Sequence, residues 1–383
     1  MSEFSNKLIN FIRTTYKSSD FIPLHAPVFS KKDKENVIDA IDSTFVSTVG
    51  EYVSKFENQV ASFTGIKYAI ATVNGTSALH AALLASNVGI NDEVITQSLT
   101  FVATCNAIKY CSASPVFVDV SRETMGMSPT SLKDFLENFA DVGEDGFCRN
   151  IKSGRIIRAC LPMHSLGHPS EIDSIKAICD SYNIILIEDS AESLGSFYKD
   201  KHTGSYGASS IVSFNGNKII TCGAGGMVLT SSKKIETKVR HLTTTAKENH
   251  NWFFSHNEVG FNYRLPNINA ALGCGQMEKL KDYVKNKRDI AQKYHYFFQN
   301  ESYEFYTEPK NSKSNYWFNA FFAKNIIERD KILEQTNKNG IMTRPFWVPM
   351  HKLPMYEACQ KTNMDNTNWL FEHLICIPSS VNI

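Results

Sequence analysis

The chain has 383 residues, of which 42% are hydrophobic and 21% charged, with a formal net charge of +1. That length suits one large and one smaller domain, and the balanced charge excludes a global basic field for nucleic acid. The nine cysteines contain no C-x-x-C pair, which argues for reduced thiols and a cytoplasmic setting over a disulfide or zinc framework. Met1-Ser2-Glu3-Phe4 begins no signal-peptide core, and no apolar run approaches the ~20 residues of a membrane span.

In chain order, residues 1–20 read as an amphipathic helix, with Phe4, Leu8, Ile9, Phe11 and Ile12 near helical spacing. A proline-marked extended segment carrying His25 follows. Helices are expected at 30–42 and 52–63, separated by the polar loop 45–50 with Ser47 and Thr48. Residues 68–73 form a β-type apolar run. Asn74-Gly75-Thr76-Ser77 breaks it, and an Ala- and Leu-rich helix starts at 78. A strand, a small polar turn and a helix start present free backbone N–H groups to an anion such as phosphate. The same residues also read as a plain helix cap by Thr76 or Ser77, which is the commoner use of such a turn.

Strands are expected at 93–96, 115–120 and 156–161. Phe101 sits just past the first of these, where parallel sheets line a ligand crevice. It is either a ring-stacking residue or a core phenylalanine. Residues 139–155 read as a long exposed loop. His164 and His168 have a spacing used by zinc, but Gly167 and Pro169 oppose the helix that would align them, so no metal is expected. A helix at 170–182 leads into the buried strand 184–187 and then Asp189. A carboxylate at that strand end needs a cationic partner or caps a following helix.

Ser213-Phe214-Asn215-Gly216-Asn217-Lys218 and Cys222-Gly223-Ala224-Gly225-Gly226 form a small-residue loop between two apolar strands. A partly desolvated lysine there suits Schiff-base chemistry. The glycine run precedes a strand and not a helix, which removes the dinucleotide fingerprint. Strands alternating with helices to about residue 230 imply a mostly parallel sheet covered by helices on both faces. The reading divides the chain into a large domain at 1–250 and a smaller α/β domain at 251–383. The latter carries Asn315 and a loop with Arg344 and His351, both of which bind ligand or serve the small domain's own structure.

Taken in order, these motifs resemble the DegT/DnrJ/StrS-type sugar aminotransferases, which are fold-type I enzymes using pyridoxal 5′-phosphate. The resemblance runs from Ile22-Pro23-Leu24 to Ile377-Pro378-Ser379. It implies that Lys218 forms the aldimine and that Asp189 pairs with the pyridine nitrogen. It further implies that Gly75, Thr76, Ser77 and Ser213 hold the phosphate, and that Phe101 stacks on the ring. Asn262, in Gly260-Phe261-Asn262-Tyr263-Arg264, matches a residue reaching the neighbouring subunit's phosphate, which implies a homodimer with shared sites. Glu192 stands where many members carry glutamine, near the ring hydroxyl.

The branch resembled most is the one aminating C4 of UDP-linked 4-keto-6-deoxy-N-acetylhexosamines. The amino donor expected is L-glutamate, and the kinetics expected are ping-pong. Alternatives are a dTDP-linked sugar, amination at C3, or a non-catalytic cofactor-binding regulator. Substrate contacts expected on this basis are His25, Ser47, Thr48, Arg264, Asn315, Arg344 and His351.

Overall fold

The computed structural model describes residues 2–382. Its centre is a seven-stranded sheet in the order Tyr68–Thr72, Gly226–Thr230, Ser209–Ser213, Ile185–Asp189, Ile157–Leu161, Glu93–Gln97, Ser114–Val118. Gly226–Thr230 runs antiparallel to both neighbours, and the remaining pairs are parallel. Alternating side chains supply two cores. Val212, Met227 and Leu229 pack on one face with Val53, Phe56, Cys274 and Leu280. Ile211, Val228 and Ile187 pack on the other with Leu79, Ala82 and Ile108.

A second sheet joins Asn319–Phe322, Leu374–Ile377 and Arg344–Pro345 in antiparallel pairs. The helix Asn267–Phe298 crosses from one body to the other. Its first turns bury Ala270, Cys274 and Leu280 against the large sheet. Its last turns bury Ile290, Tyr294 and Phe298 with Phe321 and Ile375. The N-terminal helix Glu3–Tyr16 inserts Phe4, Leu8 and Ile12 into that same C-terminal core. The boundary drawn at residue 250 falls in a loop, whereas the change of core lies inside the long helix.

Segment 139–155 departs from the exposed loop read in the sequence. Ala140–Val142 and Cys148–Asn150 pair as an antiparallel hairpin. Cys148 is 1% exposed and Asn150 fully buried. Asn150 donates to Glu93 at 2.7 Å and to Gln360 at 2.9 Å, so partners far along the chain set its conformation. Among the described residues no helix is long and apolar enough to cross a membrane.

Candidate active site

Strand register gathers the key groups at one sheet edge. Asp189 pairs with Ile211, Ser213 with Gly226, and Gly226 with Thr72. The carboxyl ends of three strands therefore lie side by side, the position where ligands bind in α/β sheets. The helix Gly75–Ala85 starts there. Asn74 caps it, its side chain accepting from the Ser77 N–H at 2.8 Å. That leaves the Gly75 and Thr76 amides, which have no intrahelical acceptor. A Cβ on Gly75 would sit 3.0 Å from Ser213 Cβ and 3.1 Å from its Oγ. The glycine keeps open a cleft bounded by two helix amides and one hydroxyl, which is an anion cradle by its donor set.

Asp189 ends the buried strand Ile185–Asp189 and is 2% exposed. Thr104 donates to its Oδ2 at 2.8 Å and the Ala191 N–H to its Oδ1 at 3.1 Å. No helix follows it, so it is not a helix cap. Burial raises its pKa, while Thr104, the Ala191 amide and the Lys218 charge oppose that rise. A cationic group arriving opposite Asp189 would offset the desolvation.

Lys218 is 12% exposed at its side chain, and its Nζ lies 3.2 Å from Glu192 Oε1. Glu192 Oε2 accepts from the Leu166 N–H at 2.9 Å. Leu166 has φ 56°, a left-handed conformation that costs a non-glycine residue about 1–2 kcal/mol. Burial pushes the Glu192 carboxyl up to about 7, against the pull of Lys218 and the Leu166 amide. The indole of Trp317 lies under the same amine, with Nζ 4.0 Å from the ring centroid. Sequence reasoning missed Trp317 and Thr104, which no local pattern distinguishes from core residues.

Asn315 corrects an expectation. It is fully buried, and its amide donates to the Glu192 carbonyl at 2.8 Å and the Leu194 carbonyl at 2.9 Å. Its Oδ1 accepts from the Trp317 N–H at 2.8 Å. Both amide hydrogens are spent inside the protein, so it fixes Glu192 and Trp317 and is not a substrate contact. Gly167, at φ 91°, has no room for a Cβ beside Asn315 Oδ1. His164 and His168 also act apart. His164 Nδ1 accepts from the Ser170 N–H, so its Nε2 donates to Glu188 at 3.0 Å. His168 stands between Tyr306 and Tyr316, and no metal-binding cluster occurs among the described residues.

Phe101 is 48% exposed and meets Trp347 edge-on at 5.9 Å. His351 comes to the same place through Ser98, whose hydroxyl bonds its Nδ1 at 2.7 Å and accepts its backbone N–H at 3.1 Å. His25 has both ring nitrogens buried without a hydrogen-bond partner among the described residues. Burial, then the Lys287 and Lys218 charges, lower its pKa. Arg264 bridges Thr72 at the sheet edge, and Asn262 is exposed two residues before it. Ser47 and Thr48 are held nearby, since the Asn267 side chain donates to Phe45 O at 2.6 Å. Arg344 turns the other way. It is exposed, and its guanidinium donates to Asn337 and Thr343 at 3.2 Å, both in the small body.

Residues 27–383 match the model of the DegT/DnrJ/EryC1/StrS aminotransferase family. The chain belongs to that family. A protein of Escherichia coli O157:H7 named GDP-perosamine synthase is 36% identical over 94% of this chain and 95% of its own length. The Bacillus subtilis (strain 168) protein EpsN, named as a pyridoxal phosphate-dependent aminotransferase, is 35% identical over 94% and 92%. A GDP-perosamine synthase of Vibrio cholerae is 33% identical over 94% of both chains. The solved structure of PseC, a Helicobacter pylori aminotransferase, has a TM-score of 0.84 over 94% of this chain and 93% of that one, at 22% identity, a likeness of fold alone. The protein is a sugar aminotransferase of the DegT family dependent on pyridoxal 5′-phosphate. Bound, that cofactor supplies an electron sink for amino-group transfer.

Proposed function

We propose that this aminotransferase moves an amino group from L-glutamate to the C4 keto group of a nucleotide-linked 4-keto-6-deoxy sugar, with ping-pong kinetics. The observation that carries the reading is the Lys218 amine. It is largely withdrawn from water, 3.2 Å from Glu192, on the loop between Ser213 and Gly226. In our assignment Gly75, Thr76, Ser77 and Ser213 hold the cofactor's phosphate, and Phe101 covers its ring face. Asp189 meets its ring nitrogen, and an opposite charge there favours the protonated nitrogen. Lys218 holds the aldehyde carbon and, when its amine is free, carries the proton that moves during transfer. Glu192 accepts a hydrogen bond from that amine.

We favour guanosine diphosphate as the nucleotide, because two of the relatives are named GDP-perosamine synthase. The uridine-linked N-acetylhexosamine remains a second reading, supported by Phe45-Val46-Ser47-Thr48-Val49-Gly50 and Met350-His351-Lys352-Leu353-Pro354-Met355-Tyr356. His25, Ser47, Thr48, Arg264 and His351 are the proposed sugar-nucleotide contacts.

We further propose a homodimer in which Asn262 reaches the neighbour's site. Support comes from the exposed segment before it, where Trp252 is 72%, Phe253 63% and Phe254 79% accessible, an apolar patch that calls for a cover. We place a large body near 1–250 and a smaller one near 251–383, with helix Glu3–Tyr16 packed on the second. All nine cysteines are free thiols, which supports a cytoplasmic location.

The experiment is a two-step assay. Glutamate should bleach the yellow enzyme. The bleached enzyme is then offered 4-keto-6-deoxy sugars linked to GDP, UDP or dTDP. Recovery of colour with the GDP sugar supports the reading, and recovery only with another nucleotide replaces it.

A further inference from the structure

Lys218 faces more than carboxylates. Its Nζ lies 4.0 Å from the centroid of the Trp317 ring, and Trp317 is 3% exposed. That residue is itself fixed at three points. Its indole N–H donates to the Asn217 carbonyl at 2.7 Å, in the loop that carries Lys218. Its backbone N–H donates to Asn315 Oδ1 at 2.8 Å. Its face stacks on Phe318, with centroids 3.8 Å apart and planes 19° apart. Two contacts on the indole and one on its own backbone hold the ring beside the amine.

A lysine released from a covalent bond has four rotatable bonds and a strong affinity for water. To return a proton to the same carbon it must stay over the same spot. The charged groups around it are Glu192 at 3.2 Å, Asp189, which feels its charge, and His25, which does too. The two carboxylates attract the ammonium only when ionised and His25 repels it only when protonated, so the effect of each varies with pH. The face of an indole does not titrate, and it attracts an ammonium most strongly where water is excluded.

We propose that the indole face of Trp317 is the resting surface for the Lys218 amino group whenever that amine is not covalently engaged, which makes Trp317 a positioning residue for amino transfer. The proposal rests on the assignment of Lys218 as the acid–base group. It also explains why Asn315 is spent on the backbone: one side chain locks Trp317 on one side of the amine and Glu192 on the other.

The test needs no turnover. Apoenzyme is mixed with pyridoxal 5′-phosphate, and the rate of covalent capture is followed by absorbance against pH. Capture requires the neutral amine, which adds to the aldehyde carbon as water leaves, so the midpoint reads the fraction of neutral amine. Trp317→Leu removes the ring and should move the midpoint down by about half to one pH unit. Trp317→Phe keeps a smaller face and should move it less than half as far. In the loaded enzyme, Trp317→Leu should slow glutamate-driven bleaching roughly tenfold with the KM for the sugar nearly unchanged. If Trp317→Leu does not fold, fluorinated tryptophan incorporated into the otherwise unaltered chain weakens the π face without changing shape. The midpoint should then fall stepwise with fluorine number, and that dependence should vanish in the Trp317→Phe background. A midpoint indifferent to residue 317 and to fluorine overturns the proposal. Capture that survives in Lys218→Ala overturns the lysine assignment, and the proposal with it.

Discussion

Glu192 grips two parts of the chain at once: Oε1 lies 3.2 Å from Lys218 Nζ, and Oε2 accepts the Leu166 N–H at 2.9 Å. Burial nevertheless dominates and raises this carboxyl from 4.5 to about 7. The folded chain therefore holds a proton there that the unfolded chain releases near 4.5. Stability falls as pH rises through that interval, and the loss is complete above about 7. Glu192→Gln lacks the ionisation. The stability of the apo variant relative to the parent should improve by about 1–3 kcal/mol between pH 5 and pH 8, read by thermal melts at each pH. A difference that does not change with pH would show that Glu192 stays ionised throughout.

The Asn315 side chain makes three hydrogen bonds in a fully buried position. Asn315→Ala should cost about 2–4 kcal/mol of stability and lower kcat, because Trp317 and Glu192 lose their common anchor. The KM for the sugar nucleotide should stay within about twofold, since we place no substrate contact there. Steady-state kinetics beside a thermal melt separates the two effects. A raised sugar KM with an unchanged melt would return Asn315 to the substrate.

Gly75 lies against Ser213, and an alanine Cβ there would stand 3.0 Å from Ser213 Cβ. Gly75→Ala should leave the melting temperature of the apoenzyme nearly unchanged, because alanine suits a helix start. It should weaken cofactor binding roughly ten- to hundredfold, the equivalent of about 1.5–3 kcal/mol for one lost hydrogen bond to a charged group. Fluorescence titration with pyridoxal 5′-phosphate measures this. Inorganic phosphate should compete in the parent and compete more weakly in the variant.

Thr104 steadies Asp189 through a 2.8 Å hydrogen bond. Thr104→Val removes the donor, and the Asp189 carboxyl should then rise further. We expect kcat to fall roughly tenfold, in keeping with one hydrogen bond to a charged group. Asp189→Ala should be the more severe, at least about a hundredfold down. Equal losses in both variants would mean that Thr104 serves the fold and not the carboxylate.

Much of this cleft is legible in sequence because its parts are local. Lys218, Ser213 and the glycine loop are contiguous, and Gly75-Thr76-Ser77 follows its strand directly. Strand ends in an α/β sheet converge by topology, so reading the strands places Asp189 as well. Asn315 and Trp317 escape such reading, because their partners Glu192, Leu194 and Asn217 lie about a hundred residues away. The same is true of the 139–155 hairpin, which polar composition marks as a loop but Glu93 and Gln360 draw inward. Arg344 shows the converse. A basic residue in this loop reads as either a ligand contact or a residue of the small domain's own structure, and the structure pairs it with Asn337.

In our assignment one lysine holds the cofactor. The direct measurement is borohydride reduction of the yellow enzyme, followed by proteolysis and mass spectrometry. The cofactor's mass should appear on the peptide containing Lys218 and on no other, with none on Lys218→Ala. Label on a different lysine, or a Lys218→Ala protein that still bleaches and turns over with glutamate, would contradict it.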